Sequence, residues 1–508
     1  MPHADATHDL EALIQSRHPI VTIDTVEEER VDNMLQSVAS TLHMPLFTWT
    51  VTHGLQRAGA PRDPRGVPSL SRDGEGAIYG TANPQMLVRH LATLTVRGIF
   101  HLKDLHVHLK DATVIRGLRD TAQAFLRSGS TAVLSGESIH LPGELAREAI
   151  PFVLHLPDRE ELQLVVHQIL RSLKRQRDVT VNLGPDGMES LLQALSGLTL
   201  NQARQAVAWA VLDDNALTTE DIPRVLRRKC EAVREEGLLE FYPPEDNAFE
   251  LGGFDRLKAW LERARVGFTS EARALDLPAP RGILIVGVQG CGKSLAAKAI
   301  ARAWTQPLLK LDAARLYDKY IGESEKNLRK ALDFAEAIAP SILWVDEIEK
   351  GFAAHGSEAD GGLSQRILGS FLSWLQERPA PVFVAATAND VLALPPELLR
   401  KGRFDEIFFV DLPQPAEREA IFRIHLTLRH QDPSKFDLGA LTAASEGFSG
   451  AEIEQAIIAG LYRALHDRQA LTTAMLCEEM RGTQPLSVSR REDVERLRAM
   501  ARGRFVPA

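Results

Sequence analysis

Cysteine is scarce here: 508 residues carry three, Cys230, Cys291 and Cys477. Their wide separation leaves neither a disulfide framework nor the paired spacing of a metal site, and such usage suits a reducing compartment. Long apolar runs are also missing. None approaches the ~18 residues of a membrane-spanning helix, and the opening MPHADATHDLEAL lacks the basic stretch and apolar run of a secretory signal. Nor is there a surplus of positive charge. The formal net charge is -9 at pH 7, so no global field draws the chain to nucleic acid. Two short basic runs, residues 171–177 (RSLKRQR) and 227–229 (RRK), read as solvated helix faces. No H-E-x-x-H pattern supplies a protease zinc site. These absences point to a cytoplasmic protein with neither membrane nor nucleic acid as partner.

What is present is a chain 44% hydrophobic and 25% charged, ordinary for a globular protein and long enough for three or four packing units. PIVTID (19–24), PLFTWTV (45–51), GIFHLKD (98–104) and STAVLSG (130–136) read as strands separated by helices. That layout indicates βαβ units on a mostly parallel sheet. Residues 54–80, rich in Gly, Pro, Arg and Asp, read as a long loop. From 158 to about 236 apolar residues recur at helical spacing. Paired prolines at 243 and 244 would stop a helix, so 242–246 read as a linker. A second alternation follows in RGILIVG, QPLLKLD, SILWVDE, PVFVAAT and EIFFVDL, runs suited to strands buried on both faces. After Pro413 the pattern is helical. The expected division is an α/β domain over 1–157, a helical subdomain over 158–241, a second α/β domain over 242–413 and a helical lid over 414–508.

Gly287-Val-Gln-Gly-Cys-Gly-Lys293-Ser294 matches G-x-x-x-x-G-K-[ST] in full, after a predicted strand and opening a predicted helix (295–304). Gly287, Gly290 and Gly292 let backbone N–H groups converge on phosphate oxygens, and the helix start adds positive potential. Lys293 should reach the β- and γ-phosphates of ATP, and the Ser294 hydroxyl should hold Mg²⁺. Ile342-Leu-Trp-Val-Asp346-Glu347 ends an apolar run in two carboxylates. At a strand end, Asp346 can orient Mg²⁺ and Glu347 can act as general base toward water. Cys291 within the loop is either a small residue at a permissive place or a thiol activated by the helix N-terminus.

With these motifs, residues 250–505 resemble the AAA clade of the AAA+ ATPases, hexameric protein-remodelling enzymes of αβα fold with a helical lid. The resemblance implies that Leu251-Gly252 cups the adenine, although Glu250 stands where the family has Asp. Cys291 and Leu295 join the nucleotide contacts. Ala388-Asn389 matches the sensor strand, with its Thr displaced by one, so Asn389 should position the attacking water. Arg400 and Arg403, in LLRKGRFD, would be finger arginines that reach the neighbouring subunit's γ-phosphate. His425, Gly450 and Ala451 resemble lid positions that touch the nucleotide. Tyr320-Ile321-Gly322 resembles the pore-loop triplet that grips a polypeptide, and 355–362 lies where a second pore loop would be. A homo-oligomeric, hexameric ring acting on a protein client is what this implies.

Residues 1–241 repeat the layout without the loop. Thr25-Val-Glu-Glu-Glu follows the first strand, and its glutamates would repel phosphate. Asp104-Leu105 stands where the other half has Asp-Glu. The expectation is a second AAA+-like α/β domain lacking the P-loop, an arrangement that resembles the Ycf46-like AAA proteins; the rival is an unrelated α/β adaptor domain, which strand order would distinguish. The leading function is an ATP-hydrolysing remodeller. The alternatives are an ATP-switched regulatory or scaffold protein and a nucleic-acid-associated AAA+ enzyme.

Overall fold

The computed structural model describes residues 6–58, 78, 80–176, 179–212, 215–235, 237–243, 252–316, 323–352, 363–378, 380–400 and 402–508. Leu251, the Tyr320-Ile321-Gly322 triplet and residues 355–362 lie outside them. The chain forms two compact units, one of residues 1–157 with 198–204, the other of 158–197 and 205–508.

In the first unit, β1 (Ile20–Asp24), β2 (Leu46–Thr50), β3 (Gly54–Arg57), β4 (Ile99–Lys103), β5 (Thr131–Gly136) and β6 (Ala149–Phe152) form one sheet in the order β3-β2-β4-β5-β1-β6. Every neighbouring pair is parallel except β2 with β3. The central strands are apolar because both faces are covered, and β5 is buried at every position. Phe100 stacks between Phe47 and Phe125, with ring centres 5.0 and 4.9 Å away. Strand β3 corrects the sequence expectation for residues 54–57, because Gly54 (φ 71°) turns the chain back along β2. Strand β6 carries only four residues and no strong run, so the alternation pattern passed over it.

In the second unit, β7 (Thr180–Asn182) and β8 (Ala216–Thr218) form a small parallel pair among the helices Arg159–Gln176, Pro185–Leu195 and Ile222–Glu235. The large sheet comprises β9 (Leu239–Tyr242), β10 (Gly282–Gly287), β11 (Leu308–Asp312), β12 (Ser341–Asp346), β13 (Val382–Ala388), β14 (Glu406–Val410) and β15 (Val506–Pro507). Its order is β15-β14-β10-β13-β12-β11-β9, and only β9 runs antiparallel to its neighbour. Tyr242 is thus a strand residue rather than the start of a linker. The C-terminal helices pack around Phe422, Leu441, Ile453 and Leu476.

The two sheets share a plan. Without the hairpin strand β3, the first reads β6-β1-β5-β4-β2; without the edge strands β9 and β15, the second reads β14-β10-β13-β12-β11. Numbered within its own unit, each runs fifth, first, fourth, third, second. Each third strand is also followed by a non-glycine residue in the left-handed region, Asp104 (φ 54°) and Glu347 (φ 48°). Matching those two residues places Lys103, rather than Asp104, over Asp346. That corrects the sequence alignment by one position.

The two halves differ after the first strand of each sheet. Three residues (25–27) join β1 to the helix Glu28–Thr41, whereas five (288–292) join β10 to the helix Lys293–Trp304. The shorter loop, Thr25-Val26-Glu27, carries none of the glycines of the longer one. Glu27 is buried, accepts from the Leu200 N–H at 2.6 Å and pairs with Arg30 at 3.2 Å. The Lys103 ammonium bonds Asp32 at 2.6 Å and Glu28 at 3.2 Å, a built-in cation where the other half has a carboxylate. His101 links Asp32 and Ser135 at 2.9 and 2.7 Å. These three have the connectivity of a hydrolase triad, yet imidazole and hydroxyl are sealed in the core. They tie helix to sheet.

No helix among the described residues is long and apolar enough to cross a membrane. No cluster of three or more His, Cys, Asp or Glu among them could hold a metal.

Candidate active site

A cavity of about 1440 Å³ opens at the carboxyl ends of the second unit's strands, where β10, β12 and β13 meet the lid helices. Open α/β sheets bind ligands at that edge. Strand β10 is buried throughout and delivers the chain into Gly287. There φ is 149°, and a Cβ would lie 2.0 Å from the Val410 oxygen, so only glycine fits. Gly290 (φ 76°) and Gly292 (φ 89°) turn the loop and start the helix. Gln289 through Leu295 line the cavity. The loop's N–H groups and the helix start make an anion cradle.

Lys293 is buried and donates to the carbonyls of Gly287 (2.9 Å) and Val288 (2.8 Å). Burial pushes its ammonium down to about 8, while nearby Cys291, Glu349, Asp346 and Glu347 oppose that shift. It is therefore a cation short of a counter-charge, the state a phosphate relieves. Cys291 also faces the cavity, but burial pushes its thiol up to about 12. Burial outweighs the opposing Lys293 charge and runs against an activated thiol.

The two carboxylates project from the end of β12. Asp346 Oδ1 accepts from Ser294 Oγ at 3.2 Å and from Thr387 Oγ1 at 2.6 Å. Glu347 Oε1 accepts from Asn389 Nδ2 at 3.0 Å, and Glu347 Oε2 pairs with the exposed Lys350 ammonium. Ser294, Asp346, Glu347 and Asn389 all line the cavity. The hydroxyl and carboxylate beside the phosphate cradle are hard oxygen donors, and this set fits a Mg²⁺ that keeps several waters.

From the lid side come His425 on the helix Pro415–Leu428 and Gly450 and Ala451 at the start of the helix Gly450–His466. The Ala451 N–H donates to the Gly290 oxygen at 3.0 Å, which brings the lid onto the loop. Burial lowers the His425 pKa, opposed by Glu454. Gly252 lines the same cavity. Arg400 and Arg403 do not. Arg403 Nη1 donates to the Leu372 oxygen at 2.8 Å, and among the described residues neither guanidinium pairs with a carboxylate.

Three features escaped the sequence. Thr387 stands between Asp346 and the Glu347 N–H, and its displaced position in Thr387-Ala-Asn was the available signal. Glu349 accepts the Asn389 N–H at 3.0 Å. The segment 498–508 walls one side through Arg498, Arg502, Phe505 and Ala508. Arg498 Nε reaches both oxygens of Asp411 at 2.9 Å, a pairing across 87 residues that leaves no local trace.

Known proteins resemble this chain over most of its length. The model of the ATPase family associated with various cellular activities (AAA) matches residues 283–412. The SpoVK-like AAA ATPase N-terminal and second domains match 6–156 and 160–236. The AAA domain-containing protein ycf46 of Guillardia theta is 35% identical over 493 residues, covering 96% of this chain and 93% of that protein. Its counterpart in Pyropia yezoensis is 34% identical over 97% of each chain. The cell division cycle protein 48 homolog of Archaeoglobus fulgidus is 26% identical over 62% of this chain and 45% of its own length. The chain therefore belongs to the AAA ATPase family, and its full-length relatives are the Ycf46 AAA proteins.

Proposed function

We propose that this chain hydrolyses ATP to ADP and phosphate and uses the energy to remodel a protein client as a ring-shaped homo-oligomer, six subunits being the expected number. The observation that carries the ATPase reading is the hydrogen-bonded row beneath the phosphate cradle. Ser294, Asp346 and Thr387 form one part of it, and Glu347 with Asn389 the other. Gln289 to Ser294 hold the triphosphate through N–H groups, and Lys293 turns from the loop carbonyls to the β- and γ-oxygens. Ser294 and Asp346 would hold Mg²⁺, which draws charge from the phosphates. Glu347, oriented by Asn389, takes the proton of the attacking water. Gly252, Leu251, His425, Gly450 and Ala451 contact base and ribose, with Cys291 and Leu295 at the loop.

Arg400 and Arg403 serve as fingers in trans. Support comes from their position off their own cavity and, among the described residues, without a carboxylate partner, with cationic charge on the transferring phosphoryl worth about 10³–10⁵ in rate. Tyr320, Ile321 and Gly322 form the client-gripping loop. The working division is a silent α/β domain over 1–157, its helical subdomain over 158–241, the ATPase domain over 242–413 and its lid over 414–508, with β9 lent to the ATPase sheet. The compartment is the cytoplasm.

Glu347→Gln should bind ATP with near-native affinity, lose at least ~100-fold in turnover and accumulate as an ATP-bound assembly in size-exclusion chromatography with light scattering. Native turnover by that variant refutes the mechanism.

A further inference from the structure

The seam between β12 and β13 continues past its backbone pairing. Val345 and Ala386 are the last paired residues, and side chains carry the ladder on from there. Thr387 Oγ1 donates to Asp346 at 2.6 Å, and the Glu347 N–H donates to Thr387 Oγ1 at 3.2 Å. Asn389 Nδ2 donates to Glu347 at 3.0 Å, and the Asn389 N–H donates to Glu349 Oε1 at 3.0 Å. Glu349 is the outermost rung.

Its surroundings make that rung costly. Glu349 sits on the single-turn helix Ile348–Gly351 and is 9% exposed. Its second oxygen is buried without a hydrogen-bond partner among the described residues. Burial is the largest influence on the carboxyl and raises its pKa; the N–H groups of Asn389, of Glu349 itself and of Asp390 oppose this, and the Glu347 charge adds to it. Lys293 and Lys350 also feel its charge, yet no described cation forms an ion pair with it. A half-satisfied carboxylate beside a second one carries a real desolvation penalty. Packing does not ask for it, since neighbouring Ile348 and Phe352 are apolar and fully buried. Glu349 is also absent from the cavity wall.

The geometry points to Glu349 as a positioning residue for hydrolysis: its Oε1 holds the Asn389 backbone, so that the Asn389 amide holds Glu347 toward the attacking water. Asn389 is the first residue past β13 and has no ladder partner of its own. Without the rung its amide drifts, and a misplacement near 1 Å costs up to ~100-fold in rate. This inference rests on the ATPase reading above.

The test compares full-length wild type, Glu349→Ala and Glu349→Gln, with Glu347→Gln as the reference for a dead site. Thermal midpoints and the affinity for a fluorescent ADP analogue establish folding and binding independently of turnover. Glu349→Ala should lose about 10- to 100-fold in kcat with KM and ADP affinity within about twofold. Glu349→Gln keeps the acceptor oxygen and should recover to within about threefold of wild type. Wild-type turnover by the alanine variant overturns the positioning role alone, as does a loss in KM or ADP affinity instead of kcat. Equal failure of both variants, which a purely electrostatic role would give, also overturns it. An inactive wild type overturns this inference together with the ATPase reading.

Discussion

Lys229 lies in an arginine-rich run that reads as a solvated face, yet its ammonium is buried 4.7 Å from the centre of the Phe241 ring. Burial pushes it from 10.5 down to about 7, with only a small upward pull from Cys230. Between those values the unfolded chain binds the proton and the folded one does not, so stability rises as pH climbs through that window. Below pH 7 the penalty is complete. Lys229→Met has similar volume and keeps a favourable sulfur–ring contact. It should stabilise the protein by ~1–4 kcal/mol at pH 7, read in urea melts. Its advantage over wild type should shrink as pH approaches 10. A constant difference from pH 7 to 10 would show that the ammonium is not the cause.

At the scale of elements, the strand ends carrying Gly287 and Asp346-Glu347 were legible because each closes an apolar run, whereas the edge strands of the two large sheets, like the three-residue β7 and β8, left none. Strands β3, β6, β9 and β15 have two to four residues each, too few for alternation to show. They exist because a sheet edge supplies hydrogen bonds. Strand β15 pairs with β14 at only two positions, Phe408 with Val506 and Phe409 with Pro507. The segment from Arg491 onward, which walls the nucleotide cavity, therefore leans on the Arg498–Asp411 pair as well. Both partners are near 40% exposed, so the pair contributes no more than about 1 kcal/mol. Arg498→Ala should leave the melting temperature nearly unchanged and speed release of a fluorescent ADP analogue by about two- to fivefold in stopped flow, the kinetic equivalent of that energy. An unchanged release rate would mean that the segment does not retain nucleotide.

For the whole molecule, the shared strand order is the observation with the widest reach. Two halves of one chain carry the same plan, and one has exchanged its phosphate loop for three residues and a buried carboxylate. The sequence showed the missing loop, but the topology needed β6 at the sheet edge, which has no recognisable run. A Lys103 ammonium clasped by Asp32 and Glu28 already supplies the positive charge that a bound cation would bring. The short loop carries no glycine to turn successive N–H groups toward phosphate. One nucleotide per chain should follow. Calorimetric titration of ADP into the full-length protein should give a stoichiometry near 1 per chain, and Lys293→Ala should abolish the isotherm. The decisive arm is that variant, because heat that survives it comes either from a weakened second half or from the first, and exchange of Lys103 separates the two. A residual isotherm in Lys293→Ala that disappears on further exchange of Lys103 would assign nucleotide to the first half and end its description as silent. Complete loss in Lys293→Ala leaves the first half to act through protein contacts alone.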